Sequence, residues 1–85
     1  MNDRVSEIRA WLIQAVASRT RLSTEEISPD EPIHRYGIDS LERVNLAYEL
    51  ERWLGRSIDA ADLIEHTTIE ALAKHLAAAP GGAER

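Results

Sequence analysis

The sequence predicts an all-α bundle with three principal helices, one short third helix and a long first loop. Three observations predict it. Apolar residues recur periodically in four separate segments. Cap and stop residues bracket the clearest of these, with Asp39 before it and Gly55 after it. No stretch alternates apolar and polar residues over the length of a strand. The 85 residues make one domain, and a domain of this size buries only about 60% of its unfolded surface. It has no room for a deep active site beside a core.

The first helix is expected from about Asp3 to Ser18, with Asn2 or Asp3 as candidate N-cap. Val5, Ile8, Leu12, Ala15 and Val16 form its stripe, and Trp11 lies at the edge. Next comes Arg19 to Ile38, "RTRLSTEEISPDEPIHRYGI", with two prolines, one glycine and several turn formers. A structureless loop of about 20 residues is unusual in a compact domain. Leu22, Ile27, Ile33 and Ile38 are therefore expected to pin it to the core. Ser23 or Thr24 before "EEI" can start a short helical turn, limited in length by Pro29 and Pro32.

The second helix is expected over Ser40 to Leu54, capped by Asp39, with Glu42 at the capping-box position and Gly55 as the stop. Asp59 then caps one short turn with Asp62 in the box position, and Leu63 and Ile64 are expected to point inward. The last helix is expected to begin at Thr67, with Glu70 three residues on and Ile69, Leu72, Ala73 and Leu76 as its stripe. The domain is set at residues 1–79. The remaining "PGGAER", residues 80–85, reads as a flexible tail or linker.

Fifteen acidic residues face ten basic ones, for a net charge of −5. That balance disfavours nucleic acid and anionic membrane surfaces, both polyanions, and favours basic partner surfaces. No stretch approaches the ~20 apolar residues of a membrane-spanning helix. The N-terminus, "MNDRVSEIRAW", is polar and mixed in charge, unlike a secretory signal. Without cysteine there is no disulfide framework and no Cys-based metal site. The expectation is a cytoplasmic, monomeric domain.

The second helix has two apolar faces. At 100° per residue, Leu46, Ala47, Leu50, Trp53 and Leu54 share one arc, the expected core face. Leu41, Val44 and Tyr48 form a second stripe roughly opposite. Either the preceding loop folds over that stripe, or it stays exposed and docks partners. Ser40 lies next to Leu41, at the start of the helix, where unpaired N–H groups and the positive end of the dipole suit an attached anion. Gly37 just upstream permits a tight turn and close approach. A serine there can equally be an ordinary first-turn or capping residue.

"GIDSL" followed by an amphipathic helix, then "LGRSID", a short turn and "TTIEALAKHL", resembles the acyl carrier protein family. The resemblance covers nearly the whole chain and implies a four-helix fold. It implies that a phosphopantetheinyl transferase, using coenzyme A and Mg²⁺, joins 4′-phosphopantetheine to the Ser40 hydroxyl. The arm's thiol would then carry acyl groups as thioesters, and the carrier itself would do no chemistry. Asp39 would help recognition by the transferase. Leu41, Val44 and Tyr48 match family positions on the partner-facing side, and Glu42, Glu49 and Glu51 could pair with basic partner patches. Partners would be an acyl-loading enzyme or acyltransferase and a ketosynthase or other thioester-processing enzyme. Arg43 and Arg52 interrupt the strongly acidic second helix usual in fatty-acid synthesis. Asp before Ser in "GIDSL", and the last helix, look more like polyketide carriers than peptidyl carriers, which often show "GGxSL". A peptidyl or aminoacyl carrier, or an unmodified helical interaction module, stand as alternatives.

Other constellations fare worse. Ser40, His34 and Asp39 supply the residue types of a hydrolytic triad. They crowd into seven residues, and a triad Asp must orient the His, not neighbour the Ser. There is no Gly-x-Ser-x-Gly elbow, since Glu42 takes the downstream glycine place. His34, His66 and His75 fall on three elements, and no pair of them has metal-ligand spacing on one helix. Each is expected to be a loop or surface histidine. Trp11 and Trp53 are expected as core filler.

Overall fold

The computed structural model describes residues 4–78. The N-cap candidates Asn2 and Asp3 and the tail at residues 80–85 lie outside the described residues. Four helices follow in order: α1 (Arg4–Thr20), α2 (Ser40–Leu54), α3 (Ala60–Glu65) and α4 (Ile69–Ala78). Two 3₁₀ turns, Thr24–Glu26 and Ile33–Tyr36, interrupt the first connection. Among the described residues, β structure is confined to one isolated antiparallel bridge between Pro32 and Thr68.

The predicted stripes build the core. Ile8, Leu12 and Val16 of α1, Leu46, Ala47 and Leu50 of α2, and Ile69, Leu72, Ala73 and Leu76 of α4 are all buried in one cluster. Val5 and Ala15 pack against it partly buried. α1 runs along α4, and α3 lies beside α2. Arg9 clamps the first of these pairs: its Nε meets Glu70 Oε1 at 2.6 Å and its Nη2 meets Oε2 at 3.1 Å. The Arg9 guanidinium holds the Glu70 carboxyl below its ordinary value.

The long connection is pinned as expected. Ile27, Ile33 and Ile38 are buried and Leu22 packs partly buried against them. The first 3₁₀ turn starts after Ser23, whose N–H donates to Glu26 Oε1 at 2.9 Å. Tyr36 closes the loop on itself: its hydroxyl accepts from Ser28 N–H at 2.7 Å and lies 3.3 Å from Ser28 O. The start of α4 is stitched to the same loop. Ile33 N–H donates to Thr67 O and Glu70 N–H donates to Pro29 O, so backbone groups that would be orphaned at the helix start have partners.

Five local expectations are corrected. The cap of α4 is Thr68, not Thr67: its hydroxyl accepts from Ala71 N–H at 3.0 Å, and Glu70 turns to Arg9 in place of a capping box. Glu42 and Asp62 likewise leave their box positions, for Arg19 and His75. Trp53 is 43% exposed. Leu46, Ala47 and Leu50 already fill the interior arc, and the indole lies at the rim, stacked on Trp11 with centroids 5.6 Å apart and Arg4 over its ring. Ile64 points outward at 71% exposure while Leu63 alone turns in, because a six-residue helix presents a narrow inner face. Gly37 has a left-handed backbone, φ 85°, that L side chains avoid, but a Cβ there would meet nothing within 4 Å. The turn requires glycine; close approach does not.

Candidate functional site

The site grows from the junction of the long connection with α2. Gly37 ends the second 3₁₀ turn and donates its N–H to His34 O at 3.0 Å. Ile38 is buried and anchors the stretch of chain that follows. Asp39 then emerges in extended geometry, and its Oδ1 accepts from Glu42 N–H at 2.9 Å, the N-cap bond the sequence predicts. Ser40 is the first residue of α2 and is exposed. Its hydroxyl therefore stands at the positive end of a fifteen-residue helix whose other end is stopped by Gly55, φ 79°, with Gly55 and Arg56 N–H both donating to Glu51 O.

Beside Ser40 lies a cavity of about 130 Å³ lined by Ser40, Arg43, Val44, Leu63 and Ile64. Arg43 is one turn along from Ser40 and is among the residues that line this mostly aliphatic cavity. The stripe Leu41, Val44 and Tyr48 is uncovered: Leu41 is 70% exposed and Tyr48 60%. The connection before α2 folds elsewhere, onto α1 and the start of α4. Ile64 continues the stripe across from α3. The exposed aliphatic surface thus spans two helices and borders the serine.

The carboxylates expected to face partners also have partners within the chain. Arg19 of α1 lies between Glu49, at 2.6 Å, and Glu42, at 3.5 Å. Glu51 Oε2 accepts from Ile58 N–H at 2.7 Å, tying the α2–α3 connection to α2. All three have partners inside the chain. His34 is exposed in the second 3₁₀ turn. Asp39 is committed to its cap bond, so the triad types are present without a triad's order. His66 and His75, expected apart, meet beside Asp62.

The expected site residues Asp39, Ser40, Leu41, Glu42, Val44 and Tyr48 all lie on or beside the first turns of α2, whereas Arg43, Leu63 and Ile64, which line the cavity next to Ser40, were not anticipated. The spacing Ser40–Arg43 was a usable signal, since residues three apart share a helix face. The contribution of α3 had none, because it depends on how two helices pack.

The residues fit a phosphopantetheine arm: an accessible hydroxyl, a helix dipole and an arginine suited to a phosphodiester, and an aliphatic cavity alongside. The family described as "Phosphopantetheine attachment site" matches residues 10–76. The chain is 37% identical over 73 residues to a phenolphthiocerol/phthiocerol polyketide synthase of Mycobacterium tuberculosis, covering 86% of this chain and 4% of that protein. It is 31% identical to the acyl carrier protein TtuC of Teredinibacter turnerae, covering 85% and 83% of the two chains. A free-standing peptidyl carrier protein from an Acinetobacter baumannii secondary metabolic pathway superposes with a TM-score of 0.82 at 28% identity, covering 91% and 96%. The fold and site define a phosphopantetheine carrier. The chain belongs to this carrier protein family, and its cofactor is 4′-phosphopantetheine. It spans about 4% of the length of the mycobacterial synthase it matches.

Proposed function

We propose that this domain is an acyl carrier of polyketide-type biosynthesis, with the prosthetic arm attached to Ser40. The exposed Ser40 hydroxyl at the start of α2, bordered by an uncovered aliphatic surface, is the observation that carries this reading. The arm supplies a terminal thiol that carries acyl groups as thioesters. Asp39 fixes the helix start that presents Ser40, and Arg43 with the helix dipole favours the phosphodiester charge. Leu63, Val44 and Ile64 offer apolar contact to whatever lies along the cavity. Leu41, Val44, Tyr48 and Ile64 form the docking surface for a phosphopantetheinyl transferase, an acyltransferase and a ketosynthase or similar enzyme. The domain performs no chemistry of its own and works as a cytoplasmic monomer.

Incubation with coenzyme A, Mg²⁺ and a broad-specificity transferase should add one phosphopantetheine by intact mass, and none to Ser40→Ala. No addition to the wild type across several transferases would refute the assignment and leave an unmodified interaction module. Similarity to the peptidyl carrier of A. baumannii favours a second reading, an aminoacyl load. Presenting the modified protein to a malonyl-transferring enzyme and, separately, to an amino-acid-adenylating enzyme decides between the two.

A further inference from the structure

Asp62 on α3, His66 at its C-cap and His75 on α4 converge on one side of the α3–α4 contact. His75 Nε2 lies 3.0 Å from Asp62 Oδ1. The imidazoles of His66 and His75 stack, with centroids 4.2 Å apart and planes 22° off parallel. One ligand atom from each of the three residues falls within 4.8 Å of the other two, and all three residues are half-buried.

The backbone organises this cluster. His66 N–H donates to Asp62 O at 3.0 Å, so Asp62 and His66 bracket a single helical turn. His75 sits among the buried α4 residues Leu72, Ala73 and Leu76, which hold its Cα in place. Two donors thus come from one turn and the third from a neighbouring helix. A tetrahedral ion with bonds of about 2.0–2.2 Å holds its ligand atoms roughly 3.4 Å apart. The Asp62–His75 separation is already that short. The widest separation needs to close by no more than about 1.5 Å by the same geometry, and the two imidazoles must turn out of their stack, because an ion lies in the plane of each ring that binds it; both are side-chain torsions of half-buried residues. Two imidazoles and one carboxylate suit Zn²⁺ and its first-row neighbours, with a fourth position left for water. Ca²⁺ and Mg²⁺ demand oxygen ligands and do not suit.

We propose that Asp62, His66 and His75 form a divalent transition-metal site, for Zn²⁺ by donor chemistry, that clamps α3 to α4. The clamp bears on the serine's surroundings, because α3 also carries Leu63 and Ile64 of the cavity wall.

The test uses the full chain, stripped with chelator and titrated with ZnCl₂ by calorimetry, with Co²⁺ as a visible-absorption probe. One ion per chain is expected, with the four-coordinate Co²⁺ spectrum. Imidazole resonances of His66 and His75 should move and those of His34 should stay. Asp62→Asn and His75→Gln should each weaken Zn²⁺ binding about tenfold or more. Absence of binding at millimolar Zn²⁺, resonance shifts centred on His34, or a His66→Gln/His75→Gln double variant that binds as tightly as wild type would each overturn the proposal. Should a variant lose its far-ultraviolet circular dichroism, the wild-type resonance map decides alone.

Discussion

The α1–α4 pair and the α2–α3 pair are built from the same aliphatic side chains and place them in opposite ways. Along α1 and α4, Ile8, Leu12, Ile69 and Leu72 are fully buried, and Arg9 locks Glu70 across the seam. Around Ser40, Leu41, Val44, Tyr48 and Ile64 face outward. α1 and α4, with the inner faces of α2 and α3, hold the bundle together. The outer face of α2 with Ile64 leaves apolar surface in water, an arrangement that lowers solubility and survives where something docks on it. The difference separates stability from function by location, so one chemical change should have unrelated consequences in the two regions.

Leucine to alanine is the sharpest probe. Leu72→Ala removes a side chain with no solvent exposure and should cost about 2–5 kcal/mol of unfolding free energy, read by urea denaturation. In a domain this small that is a large share of the total. Leu41→Ala makes the same change at a 70% exposed site and should stay within about 0.5 kcal/mol of wild type. It should instead lower kcat/KM for a partner enzyme acting on the modified carrier by about tenfold, roughly 1.4 kcal/mol. Equal stability losses in the two variants, or unchanged processing with Leu41→Ala, would erase the distinction.

The smallest effect concerns the seam. Arg9 lowers the Glu70 pKa in the folded state. The stabilisation is therefore present above the unfolded carboxyl value and is lost as pH falls through the folded one. Wild type should exceed Glu70→Gln at neutral pH by no more than about 1 kcal/mol, since the pair is partly solvated. The two stability curves should converge on acidification; parallel curves down to low pH would show that the pair contributes nothing.

The sequence legibly carried whatever local chemistry decides. The bounds of α2 followed from Asp39 and Gly55, which cap and stop a helix whatever surrounds it. The α4 stripe followed from periodicity, and the loop anchors Ile27, Ile33 and Ile38 from the need to tether a long connection. What escaped depends on packing between elements. Ile64 and Leu63 are adjacent in sequence, and only the seating of α3 on α2 decides which turns inward. Trp53 lies on the core arc by angle, but its bulk and the neighbouring Trp11 set it at the rim. Asp62 and His66 stood four apart in plain view, yet their meeting with His75 depends on the angle at which α4 returns. The uncovered stripe of α2 had two open readings, and only the path of the connection chose between them.

Arg19 has a consequence for selectivity. With its guanidinium lodged between Glu42 and Glu49, this flank of α2 carries an internal counter-ion. An approaching basic enzyme must compete with a resident cation before it gains from either carboxylate. On the proposed docking role of this face, partner choice would rest more on the fit of apolar surfaces than on the sign of charge, and association should lose much of the ionic-strength sensitivity that a bare acidic helix would impose.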